Sequence, residues 1–249
     1  MARQNRRDSA SGIFHITIRG VGRQIIFEDD VDRRTFLKTL SNLLDEMDVS
    51  LYAWCLMRNH VHLLLKGELK AISKFMQRLS TSYSMFFNRR HEHVGHLLQS
   101  RFDSKPVETD EHFLMALCYI HQNPIRAGES PGFEYRWSSY KEYLRLSRLK
   151  LCEIDFALEM LGGAEAFERF HENNQDASNA IHERKRPRIS DKDALEIIRR
   201  QIYPDNELSI ASLPKDERNN RIRSLREAGL TVKQIERFTG IGRNIIQRA

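Results

Sequence analysis

Ser50-Leu51-Tyr52-Ala53-Trp54-Cys55-Leu56-Met57-Arg58-Asn59-His60-Val61-His62-Leu63-Leu64-Leu65-Lys66 reads as two apolar strands joined by a tight turn at Arg58-Asn59. Side chains alternate between the faces of a strand, so His60 and His62 leave the same face while Val61 packs on the other. Two neighbouring imidazoles on a rigid sheet make half a site for a divalent cation. Taken alone, the pair also fits two satisfied polar residues at a strand end, or one core and one surface histidine.

Working outward, Gly12 to Arg19 alternates apolar and polar residues and predicts a first strand, closed by Gly20 and Gly22. Asp29 to Met47 predicts a helix with Asp29 or Asp30 as N-cap and Phe36, Leu37, Leu40, Leu43 and Leu44 as its buried stripe. A second helix spans about Ala71 to Arg89, followed by a loop bearing His91, His93 and His96. Gln99 to Val107 looks extended, and Asp110 to Asn123 is helical, stopping where Pro124 disfavours helical geometry in the residue before it. The order β-α-β-β-α-β-α predicts an α+β fold: an antiparallel sheet with helices on one face, a ferredoxin-like or RRM-like sandwich.

Composition limits what surrounds this core. The 249 residues suffice for one large or two modest domains. No apolar run approaches the ~20 residues needed to cross a bilayer, and the basic start Met1 to Arg7 is not followed by a signal-type apolar stretch. Cys55, Cys118 and Cys152 are widely spaced and without a CxxC motif, which suits reduced thiols and a cytoplasmic location with no membrane partner. The net charge of +6 is unevenly placed: residues 181–249 carry 16 of the 40 basic and 10 of the 34 acidic side chains, leaving 24 of each for residues 1–180. A basic tail on a neutral body points to a polyanion, most often nucleic acid, although a solvated helical surface can have the same balance.

That tail is set off by the polar stretch Glu172 to Ser190, which has no apolar period and reads as a linker. Beyond it, residues 191–249 read as helices around Ala194 to Ile198, Lys215 to Ala228, Thr231 to Phe238 and Arg243 to Arg248. Thr231 is a good N-cap, Gly240 makes a turn, and Ile241, Ile245 and Ile246 supply the core of the next helix, a helix-turn-helix pattern. In that arrangement the last helix enters the major groove of duplex DNA, with Arg243, Asn244, Gln247 and Arg248 as its reading face. Three-helix modules of this kind also dock proteins.

In the helix from Asp110, the apolar stripe is Phe113, Ala116, Leu117 and Ile120. Tyr119 and Asn123 are four residues apart and stack on one face away from that stripe. The phenol can serve as a nucleophile and the amide oxygen as a metal ligand. The same pair also suits an interfacial tyrosine and a helix-ending asparagine.

Four blocks in order carry a resemblance: Asn59-His60-Val61-His62-Leu63-Leu64; His96-Leu97-Leu98-Gln99-x-Arg101-Phe102; Tyr119-x-x-x-Asn123-Pro124-x-Arg126-Ala127-Gly128; and Trp137-Ser138-Ser139-Tyr140. Over about residues 10–145 the chain resembles the single-tyrosine HUH transposases, and most of all the REP-associated tyrosine transposases, also called transposase-17-like. Arg58 stands where that family usually has proline. The resemblance implies a catalytic domain over residues 1–150; the helical extension and linker over 151–190 and the basic helix-turn-helix domain at 191–249 are read from the residues themselves, and the resemblance says nothing about them. It implies a metal-dependent strand transferase that nicks and rejoins hairpin-flanked single-stranded DNA through a 5′-phosphotyrosine. Tyr119 would be the nucleophile, and His60, His62 and Asn123 would hold Mg²⁺ or Mn²⁺, with Zn²⁺ a competitor in vitro. Arg101 and Arg126 would contact phosphates or splayed bases, unless they pair with acidic neighbours. A monomer or homodimer is compatible with all of this. The alternative is a non-catalytic or domesticated DNA-binding protein, a repressor of repetitive palindromic elements.

Overall fold

The computed structural model describes residues 7–99, 101–174, 190–202 and 209–249. They fall into two compact units, Met1–His182 and Glu183–Ala249. Most of the stretch expected to be a linker, residues 175–189, lies outside the described residues.

The first unit is built on four antiparallel strands in the order β2-β3-β1-β4: β1 Ile13–Arg19, β2 Ser50–Met57, β3 His60–Lys66 and β4 Asp103–Pro106. β2 and β3 form the expected hairpin, with Met57 opposite His60 across the Arg58-Asn59 turn. The turn is tied into the body, because Arg58 O accepts from Ile26 N at 2.8 Å and Asn59 O from Gly20 N at 3.0 Å.

Helices cover both faces of this sheet, not one as expected. On one face Phe14, Ile16, Trp54, Leu56, Val61 and Leu63 meet α1 (Asp30–Glu46) and α2 (Leu69–Arg90) through Phe36, Leu40, Phe75 and Leu79. On the other, Ile13, Tyr52, Ala53 and Leu64 meet α3 (Asp110–Arg126) through Phe113, Ala116, Leu117 and Ile120. The physical reason lies in the strands themselves. β2 and β3 are apolar at consecutive positions, as Leu63-Leu64-Leu65 shows, and such strands require cover on both sides. A bulge between Leu51 and Ala53 places both Tyr52 and Ala53 against α3.

α3 also runs past its expected end at Asn123, with Pro124 inside its last turn. A proline this close to the C-terminus forfeits one hydrogen bond, and the stop is made by glycine instead. Gly128 sits at φ +71°, Gly128 N donates to Ile125 O at 3.0 Å, and Glu129 N donates to Pro124 O at 2.8 Å, a Schellman closure. Three short helices follow: α4 Tyr140–Tyr143, α5 Asp155–Leu161 and α6 Ala164–Asn173. Ala157, Leu158 and Phe167 join the α3-side core, so the segment from 151 to 174 is part of the first unit.

The second unit holds α7 Asp191–Ile202, α8 Lys215–Glu227, α9 Val232–Thr239 and α10 Arg243–Arg248 around its own core of Ala194, Ile198, Ile222, Leu225, Ile235 and Ile246. Thr231 caps α9 by a capping box with Gln234, and Gly240 closes it in the left-handed region. Ile241 and Ile246 are buried as expected, whereas Ile245 is exposed.

Candidate active site

The face of the sheet that carries α3 changes character along β1. Ile13, His15, Thr17 and Arg19 occupy it in turn, and antiparallel pairing sets Leu64 opposite His15, His62 opposite Thr17 and His60 opposite Arg19. Partners across a ladder share a face. Beyond Leu64 the surface under α3 therefore turns from apolar to polar, and His60, His62, Thr17 and Arg19 gather there.

The two histidines are held by different partners. Asn59 Nδ2 donates to Arg23 O at 3.3 Å, which turns its Oδ1 toward His60 Nδ1 at 2.6 Å. An amide oxygen only accepts, so His60 Nδ1 carries the proton and Nε2 keeps its lone pair. His62 Nδ1 lies 2.9 Å from His15 Nε2 and 3.4 Å from Thr17 Oγ1. His62 Nε2 is buried without a hydrogen-bond partner. The His60 and His62 ring centroids are 4.9 Å apart.

Burial is the main influence on these groups. It pushes the His60 imidazolium down to about 4, helped by the Arg19 charge. His62 is held well below the usual imidazole range by burial, with smaller contributions from His15, His60, Arg19 and Lys105. Both rings are therefore neutral at pH 7, the form that ligates metals.

α3 brings Tyr119 onto this cluster. Its ring packs edge-on against His62 at 5.7 Å and His15 at 5.6 Å, and it is 8% exposed. Burial raises the Tyr119 phenol, while Arg126 and Arg19 pull it down. Asn123, half-buried one turn on, donates from Nδ2 to Tyr119 O at 2.8 Å. His60, His62 and Tyr119 are thus brought together, with Asn123 one helical turn beyond. Among the described residues no three His, Cys, Asp or Glu side chains are grouped to hold a metal ion. His15 and His62 point nitrogens at each other, so a third protein ligand would have to be an amide such as Asn123. The buried, unpartnered Nε2 of His62 and the bare Nε2 of His60 nevertheless fit a cation that accepts imidazole nitrogen.

The far side of α3 is pinned by a buried relay. His171 Nδ1 donates to Phe167 O at 2.9 Å, so its Nε2 accepts from His121 Nδ1 at 3.0 Å, and His121 Nε2 then accepts from the Ser139 hydroxyl at 2.8 Å. His121 and Gln122 are thereby occupied away from the site, Gln122 donating to Cys118 Sγ and Asn174 O. Trp137 and Tyr140 are buried too. Trp137 lies under the Arg33 and Arg136 guanidiniums, and Tyr140 stacks on Phe133. Arg101 and Arg126 are exposed, as are Arg243, Asn244, Gln247 and Arg248 in the second unit.

His15, Thr17 and Arg19 were not singled out from sequence. They are the polar positions of β1's alternation, so the signal was there, but only the register with β3 reveals that they border the histidines.

Residues 9–123 match the family described as "Transposase IS200 like". This stretch holds the histidines, the tyrosine and Asn123. No protein with a curated description matches the chain in sequence. Among solved structures, that of "the REP associates tyrosine transposase bound to a REP hairpin" matches with a TM-score of 0.50 at 13% identity, over 61% of this chain and 98% of that one. A "putative transposase from deinococcus radiodurans r1" matches with a TM-score of 0.34 at 18% identity, over 48% of this chain and 94% of that one. The first of these shares its α+β fold with this chain.

No described helix is long and apolar enough to cross a membrane.

Proposed function

We propose that residues 9–123 form an IS200-like transposase domain, and that it is a single-tyrosine strand transferase acting on single-stranded DNA beside a hairpin. The observation that carries this is Tyr119 packed on His62 and next to His15, on the face that also presents His60 and Arg19. The Tyr119 oxygen attacks the scissile phosphorus and loses its proton. A P–O bond to Tyr119 forms, the bond to the 3′-oxygen breaks, and that oxygen leaves as a 3′-hydroxyl after taking up a proton. Attack of a second 3′-hydroxyl on the 5′-phosphotyrosine reverses these events and rejoins the strands.

His60 and His62, with Asn123 as third ligand, would hold Mg²⁺ or Mn²⁺, which supplies Lewis-acid polarisation of a non-bridging phosphate oxygen. Donation of its oxygen to a cation is compatible with Asn123 keeping Nδ2 on Tyr119 O. Arg19 and Arg126 both favour the tyrosinate, offsetting the burial that raises the phenol. A neutral phenol is a weak nucleophile, so this pair of charges matters. The hairpin bound in the solved REP-associated relative suggests the same class of DNA as substrate here.

The second unit is proposed to bind duplex DNA through α10, whose Arg243, Asn244, Gln247 and Arg248 are all exposed. Domains at 1–150 and 191–249 are the proposed functional divisions, and monomer and homodimer remain alternatives.

The test is a covalent-adduct assay. Labelled single-stranded DNA carrying a hairpin is incubated with the protein and Mn²⁺ or Mg²⁺, and a gel-resistant protein–DNA band is expected. Tyr119→Phe should abolish the band, and His60→Ala or His62→Ala should reduce it by ~10²-fold or more. Equal bands from wild type and Tyr119→Phe refute the nucleophile. Hairpin binding with no adduct in any condition favours the repressor.

A further inference from the structure

The end of β1 carries a cation that the protein does not neutralise. Arg19 is the last residue of the strand, and antiparallel pairing sets it opposite His60. Partners across a ladder share a face and have Cβ atoms about 4.5–5.5 Å apart. The main chain of Arg19 is held on both sides. β3 flanks it on one, and on the other Gln99 N donates to Arg19 O at 2.7 Å. The next residue, Gly20, donates from N to Asn59 O at 3.0 Å and lets the chain turn at once, because a Cβ there would stand 2.3 Å from Gln24 O. The Arg19 side chain therefore starts from a fixed place beside the histidines.

Arginines elsewhere in this unit are answered by acceptors. Arg33 donates to Asp29 O, Arg78 pairs with Glu46, and Arg90 pairs with Asp29 and Asp32. Arg19 is half-buried and makes no side-chain hydrogen bond or ion pair among the described residues. The groups around it are the neutral rings of His60 and His62 and the Tyr119 phenol, all three of which feel its charge. A guanidinium drawn partly out of water without a counter-charge is unfavourable, and an anion placed against it removes the penalty. Phosphate suits this place, because the planar fork of the guanidinium matches two of its oxygens. Two other cations act on the site, but Arg126 is exposed on α3 and Lys105 lies opposite His15. Of the three, Arg19 is the one that faces His60 across the ladder.

We propose that Arg19 is a catalytic residue of strand transfer, its guanidinium donating to a non-bridging oxygen of the scissile phosphate and stabilising the negative charge that builds there as Tyr119 attacks. This rests on the strand-transferase reading above. The bonds made and broken are those already named: the Tyr119 O–P bond forms and the P–O bond to the 3′-oxygen breaks. No proton passes to or from Arg19, which stays charged throughout. A donor fixed in place before the substrate arrives costs no reorganisation during the reaction. Contact with the phosphate is also separable from the effect of the same charge on the phenol. One acts on the atom attacked, the other on the attacking oxygen.

The experiment uses the full-length protein, Mn²⁺ and hairpin-bearing single-stranded DNA in two forms. One is unmodified, and the scissile position is mapped from its adduct. The other carries a methylphosphonate at that position, where a methyl group replaces one non-bridging oxygen and removes the negative charge; its two isomers are assayed apart. The readout is the rate of adduct formation. On unmodified DNA, Arg19→Met keeps an unbranched side chain without the charge and is expected to slow the reaction ~10²-fold or more. Arg19→Lys keeps a charge without the planar pair of donors and is expected to fall between. On methylphosphonate DNA the advantage of wild type over Arg19→Met should shrink to a few-fold in at least one isomer, because the charge that Arg19 stabilises is gone. A packing role, or a role through the tyrosinate alone, gives the same ratio on every DNA. An equal ratio on unmodified DNA and on both isomers therefore overturns the inference, as does a wild-type rate for Arg19→Met on unmodified DNA. If Arg19→Met fails to fold, the same comparison of ratios with Arg19→Lys decides. A wild type that forms no adduct on unmodified DNA refutes the strand-transferase reading itself, and the inference falls with it.

Discussion

The relay behind α3 makes the first unit sensitive to acid in a way that can be calculated. His171 is fully buried, donates to Phe167 O and accepts from His121, and has no room in that chain for a second proton on Nε2. Burial pushes it down to about 4, against about 6.5 in an unfolded chain. Its folded value is depressed, so the unfolded state binds the proton first, and stability is lost as the pH falls from about 6.5 toward about 4. Above that window the neutral ring has no such effect. Moving from about pH 7 to about pH 5, linkage gives a loss of about 2 kcal/mol from this one residue. The comparison is between wild type and His171→Gln, in which Oε1 can still accept from His121 while nothing titrates at that position. Urea unfolding followed by the fluorescence of buried Trp54 gives each stability at both pH values. Changes from carboxylates and from the other histidines are common to both proteins and cancel in the difference. The wild type should lose about 2 kcal/mol more than the variant. Equal losses, or a larger loss in the variant, would refute the assignment of a neutral, proton-ordered relay.

Three other consequences can be checked. Arg126→Ala should weaken binding of single-stranded DNA and reduce the slope of log affinity against log salt by about 0.7, as expected for one lost phosphate contact; an unchanged slope would separate Arg126 from the DNA. Gly128→Ala should cost about 1–2 kcal/mol in unfolding experiments from backbone alone, because Gly128 has φ +71° and nothing lies within 4 Å of where a Cβ would sit. A chain ended after residue 150 should be poorly soluble and show no cooperative unfolding, whereas one ended after residue 174 should unfold cooperatively, since only the longer chain keeps Leu158, Phe167 and His171 in the α3-side core.

What could be read from the sequence depended on how local the signal was. The β2–β3 hairpin is encoded within seventeen residues, by two apolar runs and a short turn, and its histidines needed only the two-residue period of a strand. The histidine–tyrosine pairing was legible only through a resemblance, because 56 residues separate His62 from Tyr119 and no local rule joins them. The side of the sheet that α3 covers was misjudged for a related reason. Helix order alone does not assign faces, and the evidence sat instead in consecutive apolar positions of β2 and β3. The end of α3 was placed at Pro124 by a local rule that holds for helix interiors, but a proline in the last turn loses little, and Gly128 decides the stop. His15, Thr17 and Arg19 are the clearest omission. Their polarity was visible as alternation, and their meaning depends on antiparallel register, which pairs them with Leu64, His62 and His60.

Register also explains how one helix can be anchored while carrying the proposed nucleophile. α3 offers its Phe113, Ala116, Leu117 and Ile120 stripe to the apolar half of the sheet face, and that half ends at Leu64. One step further along β3 the face is His62, and at the corresponding height on α3 the residue is Tyr119. Two residues later His121 turns away from the sheet's polar half into the Ser139–His171 relay, while Gln122 is fixed to Asn174 O. The polar groups on the back of α3 therefore have protein partners, and the helix need not shift to satisfy them. A tyrosine nucleophile must hold its oxygen in line with a phosphorus atom, and small displacements at such sites cost large factors in rate. The relay supplies the required rigidity from behind. It does so with neutral imidazoles, which leave the positive charges of Arg19 and Arg126 as the main influence opposing burial at the Tyr119 phenol.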